Sequence, residues 1–141
     1  MGMLIRKIEE NDLKGLAALN VEIFMDTTEA QTLKIFKNAW GRRINGACLV
    51  AEESQQILGA IIVKKKVTFL KNAAYVVSFF VKKEWQGKGV GRKLMEKSLA
   101  ALKENGYRNV SLTADLDNDR AASLYEKYGF RPYRMLYFKE L

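Results

Sequence analysis

Histidine is absent from all 141 residues. That removes a Ser-His-Asp triad and every histidine-ligated zinc centre, leaving carboxylates, tyrosines, lysines and one thiol as possible catalysts. No metal is expected. Cysteine occurs once, so an internal disulfide is excluded, and Cys48 inside the apolar "GACLVAE" reads as a small buried hydrophobe rather than an acyl-carrying nucleophile. Proline also occurs once, as Pro132, and no Gly/Ser-rich linker, repeat or low-complexity segment interrupts the chain. One domain over residues 1–141 is the simplest expectation. No run of about 18 apolar residues is present to span a bilayer. The start, "MGMLIRKIEE", lacks the charged head, apolar segment and small-residue cleavage site of a secretory signal. A soluble, cytoplasmic protein is expected, with no membrane partner.

What the chain has in excess is positive charge. Lys and Arg number 24 against 16 Asp and Glu, for a net charge of +8. Such a balance suits nucleic acid, anionic lipid or a polyphosphate ligand without choosing among them. The cations come in short groups, among them Arg42 with Arg43, Lys64 to Lys66, and Lys88 with Arg92 and Lys93.

The apolar pattern predicts a mixed α/β chain. "MLIRKIEE" alternates as a strand, and Asn11 or Asp12 can cap a helix carrying Leu13, Leu16, Ala17, Val21 and Phe24 on one stripe. Thr27 or Thr28 can cap a second helix through "EAQTLKIFKNAW". "ACLVAEE" and "ILGAIIVKKK" read as a hairpin with a connection of three to five residues, followed by "AYVVSFFV", apolar enough for a strand buried on both faces. A helix from Val90 to Asn105 separates Val90, Leu94, Met95, Ser98, Leu99, Ala101 and Leu102 from its charged half, and Gly106 stops it. "NVSLTA" is a strand, "RAASLYEKY" a helix capped by Asp117 or Asn118 and ended by Gly129, and "YRMLYFKEL" a last strand.

Between the buried strand and the long helix lies "QGKGVGRKL", Gln86 to Leu94. A helix start offers unpaired N–H groups and partial positive charge, and glycines let a ligand approach the backbone closely. Lys88 and Arg92 add mobile charge. A tight turn with incidental glycines is the other possibility. The dinucleotide fingerprint fails, because Arg92 stands where its third glycine belongs, and no Walker string exists.

About 30 residues downstream, "NDRAASLYEKYGF" follows one helix and one strand. Together, "VKKEWQGKGVG" and "NDRAASLYEKYGF" resemble the GCN5-related N-acetyltransferase superfamily, matching Q/R-x-x-G-x-G/A and N-x-x-A-x-x-L-Y-E-x-x-G-F at the required spacing. The resemblance runs residue by residue from Tyr75 to Phe130. It implies an α/β (α+β) three-layer fold, a mixed and mostly antiparallel sheet with a splayed parallel strand pair, and helices on both faces. It implies acetyl transfer from acetyl-CoA to a primary amine of a small molecule, a protein N-terminus or a lysine. By the same resemblance, Gln86, Gly87, Lys88, Gly89, Val90, Gly91 and Arg92 hold the pyrophosphate, while Phe79, Phe80, Val81 and Asn118 meet the pantetheine arm. The Val81 N–H faces the thioester oxygen, and Tyr125 is the general acid for the departing thiolate.

The general base departs from the family pattern. The positions that carry a glutamate in other members hold Tyr75 and Thr113 here. Asp115 shares Thr113's face if that strand stays regular and is the first candidate, with Glu22, Asp26 and Glu52 behind it and a water chain as another route. Phe24, Met25, Trp40, Tyr133 and Tyr137 are candidates to shape the acceptor site. The basic surface argues against a strongly cationic acceptor, nucleic acid is not the expected partner, and a homodimer is possible in this family. The alternative class is a non-catalytic module that senses coenzyme A or binds nucleic acid or protein on the same fold.

Overall fold

The computed structural model describes residues 2–68 and 71–141. Five strands form one sheet in the order β1-β2-β3-β4-β5: Leu4–Lys7, Leu49–Glu53, Gln56–Lys66, Ala73–Val81 and Asn109–Ser111. The first four pair antiparallel, and β4 with β5 is the one parallel pair. Helices α1 (Leu13–Phe24), α2 (Glu29–Gly41), α3 (Val90–Glu104) and α4 (Asp119–Lys127) complete the fold.

The period-two alternation of the strands gives the sheet two apolar faces. One face sends Val50, Ala60, Ile62 and Phe80 against Leu13, Leu16, Ala17, Phe36 and Ala39 of α1 and α2. The other sends Leu49, Ala51, Ile61, Val63, Ala74 and Val76 against Val90, Leu94, Met95 and Leu102 of α3. Phe36, Leu94 and Met95 are fully buried, and burial of each such side chain is worth about 1.5–3 kcal/mol. Ser98, the polar residue on the buried stripe of α3, donates to the Ala47 carbonyl at 2.7 Å. Cys48 is buried as expected, its thiol donating to the Val63 carbonyl at 3.2 Å.

Several local expectations are corrected. The β2–β3 connection is a two-residue turn, Ser54 and Gln55, both at positive φ (51° and 64°), the geometry that matches strand twist in tight hairpins. Asp12 does not cap α1. A single 3-10 turn, Glu10–Asp12, precedes the helix, and the Asp12 carboxylate accepts from the Glu9 N–H at 2.7 Å and from Arg6 at 2.8 Å. Thr28 does cap α2, accepting from the Gln31 N–H at 3.2 Å. The strand expected over "NVSLTA" ends at Ser111, so Thr113 and Asp115 lie beyond it. The last strand expected at "YRMLYFKEL" does not form, and Tyr133, Met135, Leu136, Tyr137 and Phe138 are exposed. With β5 only three residues long, the sheet edge beside it offers little ladder for another strand to join.

β4 is also not buried throughout, as Val77, Ser78, Phe79 and Val81 are half-exposed. Its pairing explains this. β5 matches only Ala73, Ala74 and Tyr75 of β4, so past Tyr75 that edge has no strand partner among the described residues. On its other edge β4 stays paired with β3 through Val81, with a bulge where Ile62 meets Ser78 and Val63 meets Val76, leaving Val77 as the extra residue.

Candidate active site

Several of the predicted residues collect along the opening left where β4 has no strand partner past Tyr75 among the described residues. Strand alternation fixes which backbone groups face it. The Lys82 N–H reaches back to the Leu58 carbonyl at 2.8 Å, so the N–H and C=O of Val81 point the other way, into the opening. The side-chain amide of Gln86 donates to that Val81 carbonyl at 3.0 Å. The Val81 N–H therefore faces the open edge, and Phe79, two residues earlier, shares its orientation. Phe80 departs from the expectation: its backbone pairs with Ala60 of β3 and its ring packs toward α1 and α2.

At the end of β4 a 3-10 turn, Lys83–Trp85, leads into the glycine loop. Gly87 and Gly89 adopt φ of 77° and 85°, values that L side chains rarely reach. A Cβ at either would meet nothing within 4 Å, so the space over both glycines is open. The first intrahelical bond of α3 runs from the Lys93 N–H to the Gly89 carbonyl, which leaves the N–H groups of Val90, Gly91 and Arg92 without a helical partner. Open space, converging amides and a helix start fit a pyrophosphate. The Lys88 ammonium lies 4.9 Å from the Trp85 ring centroid, and the exposed Arg92 keeps only a loose 3.8 Å contact with Glu96. Neither interaction ties its cation strongly.

Gly91 has a different duty. A Cβ there would come within 3.2 Å of the Phe79 ring and 3.4 Å of the Val81 side chain. The third glycine thus lets the first turn of α3 lie close against the open half of β4.

Opposite the loop, α4 brings Tyr125 to the same place. Its ring centroid lies 6.4 Å from that of Phe79 and 6.1 Å from that of Phe130. Burial pushes the Tyr125 phenol above its usual value of about 10, and the neighbouring Tyr128 adds to the shift. Asn118 caps α4, accepting from the Ala121 N–H at 3.1 Å. Tyr128 was not singled out for the site from sequence, yet it packs edge-on to Phe79 at 6.4 Å, and its hydroxyl would stand 3.7 Å from a Cβ on Gly91. Its place one helical turn after Tyr125 is the signal that could have found it.

The base candidates fare unevenly. The Tyr75 hydroxyl lies 3.4 Å from the Thr113 hydroxyl, so the two neutral groups do meet at the mouth of the opening. Asp115 loses its basis, because the strand it was to extend stops at Ser111; it is exposed, and its carbonyl accepts from the Asn118 N–H. Glu52 is paired with Arg6 at 3.2 Å between β1 and β2, away from the opening. Glu22 and Asp26 are exposed on and after α1. Of the acceptor-site candidates, Phe24 and Met25 are exposed at the end of α1, Trp40 lies under Arg43 on α2, and Tyr133 and Tyr137 sit on the exposed C-terminal segment. Among the described residues no ring contact joins any two of these five. On the α1 side, the Ser78 hydroxyl of β4 donates to the Asn20 side chain at 2.7 Å, a polar contact that sequence pattern did not mark.

A parallel strand pair that parts at Tyr75, a glycine loop at one strand's end and a tyrosine from the following helix agree with the family model of the acetyltransferase (GNAT) family, which matches residues 13–130. The chain belongs to the GNAT family. Among relatives, N-alpha-acetyltransferase 30 of Schizosaccharomyces pombe is 35% identical over 91 residues, which is 62% of this chain and 59% of that one. The chain thus spans about three fifths of that relative's length, and 47% of an Arabidopsis thaliana N-alpha-acetyltransferase MAK3. Among solved structures, Ard1 from Thermoplasma volcanium superposes with a TM-score of 0.78 at 25% identity, covering 96% of this chain and 87% of that one. An aminoglycoside acetyltransferase, AAC(6')-Iy, solved with a coenzyme A bisubstrate analogue, reaches 0.80 over 100% of this chain and 99% of its own, at 14% identity that speaks for the fold alone.

In GNAT terms the described residues have the expected layers: a mixed sheet, mostly antiparallel, with helices on both faces. Among them no helix is long and apolar enough to cross a membrane.

Proposed function

We propose that this GNAT chain transfers an acetyl group from acetyl-CoA to the α-amine of a peptide or protein. Acetyl-CoA, when bound, supplies the acyl group as an activated thioester. The amides of Gly87 to Arg92, with Lys88 and Arg92, hold the pyrophosphate. Phe79 and Val81 offer backbone groups to the pantetheine arm, much as an added strand would be held, and Asn118 flanks it. The Val81 N–H donates toward the thioester oxygen, where negative charge gathers as the amine attacks. The amine nitrogen forms the new C–N bond and releases its surplus proton to solvent, the C–S bond breaks, and the departing sulfur takes the Tyr125 phenol proton, which solvent then restores. That phenol stays protonated through the neutral range because burial raises its pKa further.

The observation that carries the choice of amine is the pair of neutral hydroxyls, Tyr75 and Thr113, at the mouth of the opening. Among the described residues no carboxylate is hydrogen-bonded to either hydroxyl, which favours an acceptor that arrives partly neutral. An α-amine, with a pKa near 8, is about one-tenth neutral at pH 7, whereas a lysine amine is neutral in only about one molecule in 2,500. The names of the N-alpha-acetyltransferase relatives support the same choice. A cytoplasmic setting suits a chain with one buried thiol and no second cysteine to pair with it.

The test is an acceptor panel followed by release of free thiol: a peptide with a free N-terminus, the same peptide N-terminally blocked but carrying lysine, and an aminoglycoside. Turnover with the first alone supports the proposal. Turnover confined to lysine or the aminoglycoside overturns the acceptor class. Coenzyme A binding without turnover on any amine favours the non-catalytic sensing module instead.

A further inference from the structure

Two basic groups that are distant in sequence come together beside the opening. Lys64 lies opposite Tyr75 across β3 and β4, and it also bridges Arg43, just after α2. The Arg43 guanidinium stands 4.1 Å over the Trp40 ring and donates to the Trp40 carbonyl at 2.8 Å, which fixes its position. Lys66 places its ammonium 5.4 Å from the Tyr75 ring centroid and 3.1 Å from the Ser111 hydroxyl. Alternation along β3 puts Lys64 and Lys66 on the face of Ile62, the α1 and α2 side of the sheet.

That side is the one left for an acceptor. The α3 side of the opening is lined by the glycine loop, Phe79, Tyr125 and Tyr128. On this side Tyr75, with Lys64 beside it and Lys66 over its ring, borders the approach to the open edge of β4. No Asp or Glu occurs within residues 40–46, 64–68, 71–75 or 107–114, the described segments beside this rim. The ion pairs of Arg6 with Asp12 and Glu52 and of Arg92 with Glu96 lie elsewhere, and the carboxylate nearest in sequence is the exposed Asp115.

We propose that Arg43, Lys64 and Lys66 select peptides that carry Asp or Glu directly after the N-terminal residue. Carboxylates at those positions complement a rim rich in cations, while lysines there are repelled. The same cations disfavour the charged form of an incoming amine, because a nearby like charge lowers an ammonium's pKa. The rim thus offsets part of what a missing base would supply. The inference rests on the α-amine acceptor argued above and specifies which α-amines are taken.

The experiment compares kcat/KM for three peptides identical except at positions two and three, which are Glu-Glu, Gln-Gln or Lys-Lys. With the wild-type chain the acidic peptide should exceed the neutral one by about tenfold, the order expected for a few exposed ion pairs. That advantage should shrink as salt rises, since the Debye length falls from about 10 Å at 0.1 M to about 3 Å at 1 M. The double variant Lys64→Glu with Lys66→Glu should reverse the order. The milder pair Lys64→Gln with Lys66→Gln should flatten it, and coenzyme A affinity, read by calorimetry, should hold in both. Equal rates on all three peptides, or a preference that both double variants keep, would overturn the inference while leaving α-amine transfer standing. Failure to acetylate any of the three defeats the underlying function as well. Tight, salt-sensitive binding of an RNA oligomer to this face without an acidic-peptide preference would show a nucleic-acid surface and overturn it too.

Discussion

The ring of Tyr125 on α4 lies 6.4 Å, centroid to centroid, from the ring of Phe79 on β4, tilted 44° to it. This contact joins the helix that carries the proposed proton donor to the strand whose open edge would hold the pantetheine arm. Phe79 also meets Tyr128 and limits what residue 91 can be, so one side chain organises three parts of the site.

Tyr125→Phe keeps the ring contact and removes only the phenolic hydroxyl. The turnover rate should fall by about 100- to 10,000-fold, while coenzyme A affinity by calorimetry stays nearly constant. The pH profile gives a second check. Because the phenol's pKa is raised, the wild-type rate should climb as the acceptor amine deprotonates and show no basic decline until above pH 10. A decline already at pH 8 would point to a different acid.

Gly89→Glu combines two penalties. A non-glycine residue at φ 85° costs on the order of 1–2 kcal/mol, and the carboxylate occupies open space proposed for the pyrophosphate. The backbone cost falls on folding, while the carboxylate's repulsion and bulk at the pyrophosphate should lower coenzyme A affinity at least about tenfold, which corresponds to about 1.4 kcal/mol. Gly89→Ala separates the effects, retaining the backbone cost without the charge, and calorimetry on both variants reads them apart.

Gly59 tests the support beneath the site. A Cβ there would sit 2.6 Å from the Phe80 carbonyl oxygen and 3.2 Å from Val81, both part of β4. Gly59→Ala should destabilise the fold by about 1–3 kcal/mol in urea titration and displace the Val81 N–H. A reduced kcat in variant that remains folded is the accompanying expectation.

Acid stability should depend on Arg6 and Asp12. The Arg6 guanidinium holds the Asp12 carboxyl below its ordinary range, assisted by the Glu9 N–H. A depressed carboxyl pKa stabilises the fold above the unfolded value near 3.9, and that contribution is lost as pH falls through the folded value. Asp12→Asn should lower stability by about 1–2 kcal/mol at pH 7 and flatten its dependence below pH 4, as followed by urea midpoints.

The layers of the fold were legible because apolar spacing reports burial directly: the stripe of Val90, Leu94, Met95, Ser98 and Leu102 on α3 is buried as its period requires. The glycine loop was legible because positive φ at Gly87 and Gly89 leaves a mark in residue type. Where the parallel strands part was not, since Tyr75, Val76 and Val77 carry no local sign that pairing stops between them. "YRMLYFKEL" alternates like a strand, but alternation supplies no partner, and the three-residue β5 offers little edge to join. The facing of Asp115 depends on a strand continuing past Ser111, and β5 ends there. The joining of Arg43 to Lys64 depends on β3 returning beside the end of α2, a tertiary relation that spacing does not encode.

The most direct test uses one peptide bearing both a free N-terminus and an internal lysine, incubated with acetyl-CoA and this chain near pH 7. Tandem mass spectrometry then locates the added acetyl group. The account predicts acetyl on the α-amine, and its loss when Tyr125 is replaced by Phe over the same interval. Acetyl on the lysine alone, or no transfer although coenzyme A binds, would contradict it.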